Sequence, residues 1–328
     1  MKIIAEVGST HDGSLGNALK SIEMAAAAGA THCKFQTHIA EFETLRNAPN
    51  PYYFSAEDRY KYFERTAFDE DSYHRLVDKC ESLNVTFMSS PFCLEAVDLL
   101  ERIGCRSFKI PSGEVTCTPL IERLALVDGD IYLSSGMSSW AELDRAVRIL
   151  DDSGANYTVM QCSSEYPCSP ENVGWNVFSE MQQRYGMPVG FSDHTSGVAA
   201  SVLAVAAGVK TIEKHFTLSN LLYGSDAANS LDPCAFKRFC SELRDACAIL
   251  DNKVDKDAVG KYRDMKTVFE KSVVSKIKLD PGHVITEADL AFKKPGLGIS
   301  ASNYQDLLGS VLTISVPPDH LFAWRDFE

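Results

Sequence analysis

Two histidines set the problem that the rest of this sequence has to solve. His194 closes the stretch PVGFSDHT and His215 sits in VKTIEKHFT, both within residues 188–217. Each follows a short apolar run, Pro188 to Phe191 and Val209 to Ile212, of the β-branched and aromatic kind that favours strands. Between the runs, Gly197 to Gly208 is rich in Ala, Val and Leu and long enough for a buried helix. This pattern predicts a β–α–β unit with two parallel, neighbouring strands. Each histidine then stands at a strand's C-terminal end, where parallel α/β folds keep their chemistry. Neutral imidazole is a common ligand for divalent metals. Two from adjacent strands can grip one ion and leave positions open for substrate. A single histidine more often only packs or caps, so the expectation rests on the pair.

The elements that would hold such a pair recur along the chain. Strands are predicted at Lys2–Val7, His32–Gln36, Val85–Ser89, Ser107–Ile110, Ile131–Leu133 and Tyr157–Gln161, followed by the two above. Helices are predicted at Leu15–Ala28, Asp69–Ser82, Leu94–Ile103, Pro119–Leu126, Trp140–Leu150, Val173–Tyr185 and Pro233–Leu250, besides the one between the histidines. Several end at a glycine, namely Gly29, Gly104, Gly154, Gly186 and Gly208, each suited to a left-handed cap. Eight regular strand–helix units in about 250 residues fit an α/β fold of the (β/α)8 barrel type, with a doubly wound open sheet as the alternative. A polar and aromatic insertion, about Ala40 to Thr66, interrupts the second unit. Its aromatics Tyr52, Tyr53, Phe54, Tyr60, Tyr62 and Phe63 are expected mostly to pack. The catalytic domain is placed at 1–250, a charged linker at 251–270 and a small β-rich domain at 271–328.

All eight predicted strand ends are polar. In order they carry Glu6, with His11 beyond it; Lys34, Gln36 and His38; Ser89 and Ser90; Lys109, Ser112, Gly113 and Glu114; Ser134, Ser135 and Gly136; Cys162 to Tyr166; Ser192 to His194; and Glu213 to His215. Such a ring is what a catalytic rim requires. Lys34 and Lys109 would project into the barrel mouth, where an unpaired cation is costly, so they are expected to await an anion. Hydroxyls of Ser112, Ser134 and Ser192, with Gly113 and Gly136 allowing close backbone approach, suit phosphate oxygens. The bland alternative pairs each lysine with Glu6 or Glu114, and a Schiff-base lysine is another. Two lysines, a hydroxyl ring and two histidines fit a phosphorylated substrate and a Lewis-acid metal better.

Composition narrows the field further. Lys+Arg 32 against Asp+Glu 45 gives a net charge of −13, unfavourable for nucleic acid or an anionic membrane. No glycine-rich nucleotide motif is present. The ten cysteines form no CxxC pair, which is expected of reduced thiols in a cytoplasmic protein. No apolar run is long enough to span a bilayer.

Taken together, the segments EVGSTHDGSLGNA, KFQTH, SSPF, KIPSGE, LSSGM, EYP, FSDHT, EKHFT and KPGLGIS resemble the sialic acid synthase family, in the family's order and over nearly the whole chain. The resemblance implies a TIM barrel followed by an antifreeze-like (SAF) domain, and a domain-swapped homodimer. It implies that phosphoenolpyruvate condenses with an N-acylated amino sugar, such as N-acetylmannosamine, to a nine-carbon 2-keto-3-deoxy acid with release of phosphate. The implied cofactor is a divalent ion on His194 and His215, manganese first, with magnesium or cobalt as options. By position, Lys34, Lys109, Ser112, Ser134 and Ser192 would bind phosphoenolpyruvate, with Ser90 also in the substrate-binding set. Glu6, Gln36 and Tyr166 would face the sugar, and Glu114 would position the aldehyde or the attacking water. Glu6, Lys109 and Glu114 form the implied catalytic set. Three departures fall at the sugar end: Lys294 stands where an arginine is common, the loop Gly224 to Ala227 keeps only its glycine and Asp226, and Ser164-Glu165 precedes Tyr166. Asp226 and Lys294 are still expected to touch the acceptor. The same chemistry on a legionaminate, pseudaminate or spore-coat sugar therefore stays open, as does a non-catalytic sugar-binding protein. The latter predicts a degraded rim, which this sequence lacks.

Overall fold

The computed structural model describes residues 1–50, 57–224 and 226–328. Two compact units divide the chain, Met1–Asn252 and Lys253–Glu328.

In the first unit the strands are β1 (Lys2–Gly8), β2 (His32–Thr37), β3 (Thr86–Pro91), β4 (Ser107–Ile110), β5 (Asp130–Ser134), β6 (Asn156–Cys162), β7 (Gly190–Asp193) and β8 (Thr211–His215). They close into one parallel barrel in chain order, β8 pairing with β1. The helices are α1 (Leu15–Ala28), α2 (Ala40–Glu43), α3 (Arg59–Thr66), α4 (Glu70–Ser82), α5 (Leu94–Arg102), α6 (Thr118–Leu124), α7 (Trp140–Ser153), α8 (Trp175–Tyr185), α9 (Ala199–Ala206) and α10 (Pro233–Asp251). Helices α2 and α3 belong to the insertion, and one helix follows each strand otherwise. Ser14 caps α1 through the Asn17 amide, and Ser139 with Glu142 forms a capping box on α7. All five helix-ending glycines have left-handed φ, from 63° to 108°. Of the insertion's aromatics, Tyr60 and Tyr62 are buried, while Tyr52, Tyr53 and Phe54 lie outside the described residues.

Strand periodicity builds the site in layers. Ile4, Met88, Tyr132 and Met160 form an apolar cluster inside the barrel. Two residues further along each strand, on the same face, stand Glu6, Ser90, Ser134 and Cys162, all buried. Side chains one residue out of step pack outward against the helices in the main core, as Phe35, Phe108, Phe191 and Ile212 do.

The last two strands differ from expectation. β7 starts at Gly190 and β8 at Thr211, so Ser192, Asp193, Glu213, Lys214 and His215 belong to strands rather than to the turns after them. Barrel interiors accept polar residues where a ligand or an ion pair meets them, so a polar run here ends the apolar pattern but not the strand.

The second unit carries α11 (Arg263–Phe269) and a two-stranded antiparallel sheet, β9 (Ser272–Ser275) with β10 (Leu290–Lys293). The rest of this β-rich unit pairs through isolated bridges such as Val284 with Val311 and Leu279 with Val316. Its core holds Val273, Leu279, Ile285, Leu290, Ile299, Leu307, Leu312, Val316 and Phe322. One turn occurs twice. His283 pairs with Asp289 at 2.9 Å and His320 with Asp326 at 3.0 Å. Each aspartate also accepts a backbone N–H three residues earlier, from Thr286 and from Ala323. The residue before each histidine, Gly282 or Asp319, is left-handed.

Candidate active site

The register of four strands, β1, β2, β7 and β8, brings the first cluster together. Glu6 lies opposite Lys34 on one side and His215 on the other, and Ser192 lies opposite Glu213. Lys34 Nζ is 3.0 Å from Glu6 Oε2 and 3.4 Å from Glu213 Oε1, and it donates to Ser90 Oγ at 3.4 Å. Lys109 Nζ is 3.0 Å from Glu213 Oε2. Ser192 Oγ donates to Glu213 Oε1 at 3.1 Å. The expectation that both lysines stand unpaired is therefore corrected: Glu213 bridges them, and Glu6 completes the row. The alternation that sends Lys214 outward to Asp193 sends Glu213 inward with His215. Glu213 was visible in the sequence as the residue two before His215, and it was given no role.

The electrostatics follow from this row. Burial favours neutral Glu213, but Lys109 and Lys34 outweigh it and hold its carboxyl far below the usual range. Burial likewise opposes the Lys34 charge, and Glu213 and Glu6 overcome it, raising its pKa. Glu6 goes the other way: burial pushes its carboxyl up, only partly offset by Lys34. The row is thus an alternating set of charges, Glu6, Lys34, Glu213 and Lys109.

Two glycines let the walls approach. Gly8 has φ +54°, and a Cβ there would lie 3.0 Å from Asp226 Oδ2, 3.2 Å from Gln36 Nε2 and 3.3 Å from Glu6 Oε1. Asp226 therefore belongs to the mouth, beside Gln36, which donates to Glu6 Oε1 at 2.9 Å. At Gly136, a Cβ would meet Ser164 Oγ at 2.4 Å, Ser112 Oγ at 2.5 Å and Cys162 Sγ at 3.2 Å. That space is lined by hydroxyls and one thiol, and any side chain would fill it.

The histidines lie alongside. Their ring centroids are 5.3 Å apart, and Tyr166 packs 4.2 Å from His194 and 5.6 Å from His215. His194 Nδ1 is 2.8 Å from the Ser163 carbonyl, which fixes the proton on Nδ1 and turns the Nε2 lone pair toward the Ser192 hydroxyl, 3.4 Å away. His215 is buried, and burial holds its pKa down to about 4, so the ring is neutral. Its Nδ1 is buried with no hydrogen-bond partner among the described residues. A neutral imidazole with an orphaned nitrogen, beside a second imidazole whose Nε2 meets only a long contact to the Ser192 hydroxyl, fits a divalent ion. Among the described residues no group of three His, Cys, Asp or Glu converges on one point, so the remaining positions would fall to water and substrate.

Other expected residues are less tightly tied in. Ser134 is buried one layer above Tyr132. Glu114 is half-buried on a 3-10 turn, Ser112–Glu114, and has no ion pair with Lys34 or Lys109. Burial, then Glu43, pushes its carboxyl up. Lys294 belongs to the second unit, its ammonium 5.1 Å over the Phe269 ring. Cys162, which no motif singled out, touches Ser112 Oγ at 3.7 Å and His194 Nδ1 at 3.9 Å.

Comparison with known proteins identifies the family. The NeuB family profile matches residues 21–255 and the SAF domain profile residues 270–328. The chain is 35% identical over 327 residues to N,N'-diacetyllegionaminic acid synthase of Campylobacter jejuni, covering 97% of this chain and 98% of that one. It is 32% identical over 324 residues to human N-acetylneuraminate-9-phosphate synthase, covering 97% and 90%. The crystal structure of N-acetylneuraminic acid synthetase from Leptospira borgpetersenii, in complex with citrate, superposes with a TM-score of 0.69 at 28% identity, covering 80% and 90%. Both profiles fall in order and the relatives align almost end to end: the chain belongs to the NeuB family, the sialic acid synthase family that its motifs resemble.

Proposed function

We propose that this protein condenses phosphoenolpyruvate with the open-chain aldehyde of an N-acylated amino sugar, giving a nine-carbon 2-keto-3-deoxy acid and phosphate. Lys109 carries this reading. Its ammonium is 2% exposed and has one carboxylate partner among the described residues, leaving two N–H donors for an anion. Lys34, Ser90, Ser112, Ser134 and Ser192 complete the phosphoenolpyruvate site, around the space that Gly136 leaves open. Glu6, Gln36, Tyr166 and Asp226 face the sugar, and Lys294 reaches its acyl group.

In the reaction, C3 of phosphoenolpyruvate bonds to the aldehyde carbon and the aldehyde oxygen takes a proton. Water adds to C2, and the C–O bond to phosphate breaks as the 2-keto group forms. Glu6, ionised beside Lys34, sits where it can relay to the aldehyde oxygen the proton that the attacking water gives up. Glu114 orients the aldehyde or the water. Lys34 and Lys109 fix the anion against the acceptor, so the two carbons meet without a search. A divalent ion on His194 and His215, manganese first, would polarise the aldehyde oxygen.

The small unit of a second copy would cover the mouth in a domain-swapped homodimer. Ten free cysteines favour the cytoplasm, and no described helix is long and apolar enough to cross a membrane. The test is phosphate release from phosphoenolpyruvate by metal-stripped protein, with and without manganese, across a panel of free acylated hexosamines. The panel includes N-acetylmannosamine and diacetamido-dideoxy sugars. Release that needs both the ion and one sugar is expected. Release without any sugar, or none with every sugar, overturns the reading.

A further inference from the structure

His38, just past the end of β2, has a setting that the proposed reaction does not yet use. It is buried, and its ring lies between two others, 3.8 Å from Phe63 at 11° and 4.1 Å from Phe92 at 21°. Its Nδ1 is 2.9 and 3.0 Å from the two oxygens of Glu43, a carboxylate buried in α2. Its Nε2 is 3.1 Å from Gln36 Oε1. Gln36 Nε2 in turn donates to Glu6 Oε1, and Glu6 pairs with Lys34. The row therefore runs Glu43, His38, Gln36, Glu6, Lys34.

Hydrogen-bond polarity along that row determines where the protons sit. A carboxylate only accepts, so His38 Nδ1 carries a proton toward Glu43. The Gln36 amide faces the ionised, lysine-paired Glu6 and must donate to it, which turns the amide oxygen toward His38. A lone pair on His38 Nε2 would oppose that oxygen at 3.1 Å, so Nε2 carries a proton as well. Flipping the amide would only move the clash to Glu6. A doubly protonated ring is a cation, and the faces of Phe63 and Phe92 are where a cation is stabilised. The other charged or titratable groups around it are Arg59, 5.3 Å over Phe63, His11, whose pKa His38 helps to lower, and Glu114, which feels Glu43.

We propose that His38 is a positioning residue: backed by Glu43 and held as an imidazolium between two aromatic rings, it locks the Gln36 amide so that its NH2 group faces Glu6 and the acceptor sugar. This rests on the reading above that Glu6 and Gln36 meet the sugar. The insertion thereby takes part in acceptor recognition through α2 and α3 without touching the sugar through these residues.

The test has two arms on the full-length protein. In the first, side-chain 15N NMR of histidine-labelled wild type reads the His38 ring directly, assigned with His38→Gln. Two protonated ring nitrogens at neutral pH are expected, with one proton lost in Glu43→Gln. A neutral His38 ring in the wild type overturns the proposal. The second arm measures KM for the acceptor and for phosphoenolpyruvate with manganese present. Glu43→Gln should raise the acceptor KM about tenfold and leave that for phosphoenolpyruvate within about twofold. His38→Gln, which can still donate to Gln36, should recover part of what His38→Ala loses. Equal rises in both KM values, or no change in either, contradict the clamp. If no acceptor supports turnover, the synthase reading fails, while the NMR arm still decides the state of His38.

Discussion

Each unit of this protein contains a pair of histidines, and the two pairs are treated in opposite ways. In the small unit, His283 and His320 each pair through Nε2 with an aspartate that also caps a turn. In the barrel, His194 keeps a lone pair and His215 keeps an orphaned nitrogen. A buried polar atom without a partner costs stability. The barrel accepts that cost at the C-terminal ends of its strands, where barrels of this kind keep their active sites, and the small unit does not. The histidine pair of the barrel thus leaves a buried nitrogen unmatched, and that of the small unit is tied into its own turns.

The broadest way to break this contrast is acid. Burial, with His38 second, holds His11 down to about 4, and burial, with Lys2 second, does the same for His32. Both rings stay neutral in the fold, while unfolded histidine titrates near 6.5. Between those values the unfolded chain binds more protons, so the contribution of these two rings to barrel stability is flat above pH 6.5 and falls as the pH drops toward 4. The loss is up to about 3 kcal/mol for each ring. Asp289 differs in sign and window. Burial pushes its carboxyl up, but His283 and Thr286 outweigh that and hold it below its ordinary value of 3.8. Its contribution is present above that value and lost only in stronger acid. Trp324 reports on the small unit once Trp140→Phe and Trp175→Phe are in place. Its unfolding should begin at lower pH than the barrel's circular dichroism transition, and a coincident onset would erase the distinction.

Glu213→Gln tests the mouth directly. It leaves Lys34 and Lys109 buried without their shared counter-charge, and should cost about 3–5 kcal/mol in denaturant unfolding of the barrel. A loss below about 1 kcal/mol would mean that the row behaves like a surface pair. His215→Ala should act on chemistry instead. Phosphate release should fall about a hundredfold or more, manganese binding should weaken in parallel, and the fold should persist. Full activity in that variant would remove the ligand assignment.

How much of this was legible in the sequence depends on the range over which the signal runs. The eight-unit barrel was visible because each strand–helix unit is local and several helices end at a glycine. The starts of β7 and β8 were misplaced by two residues, because Pro188 and Val209 begin apolar runs while the polar ends stay within the strands. The lysines were placed correctly at strand ends and Glu6 was named as an alternative partner, which Lys34 has, yet Glu213 was missed: Lys109 meets it across 104 residues. Gln36 and His38 were visible as KFQTH, but Glu43, Phe63 and Phe92 converge on His38 from three later segments. Periodicity says which face a residue takes and nothing about which distant residue meets it.

The smallest expected effect lies in the repeated turn of the small unit. Asp326 accepts from His320 and from the Ala323 amide, as Asp289 does from His283 and Thr286. Replacing either by alanine removes a cap and leaves one backbone donor and one histidine without their acceptor, at a cost of about 1–2 kcal/mol. Asp289 has one contact more, the Thr286 hydroxyl at 2.7 Å, so Asp289→Ala should be the more damaging of the two. Amide exchange at residues 286 and 323 separates them, since each variant should expose its own turn first. The metal affinity of His194 and His215 should stay unchanged in both. Weakened metal binding in Asp326→Ala would mean that the histidine pairs of the two units are not independent, and the contrast between them would fail.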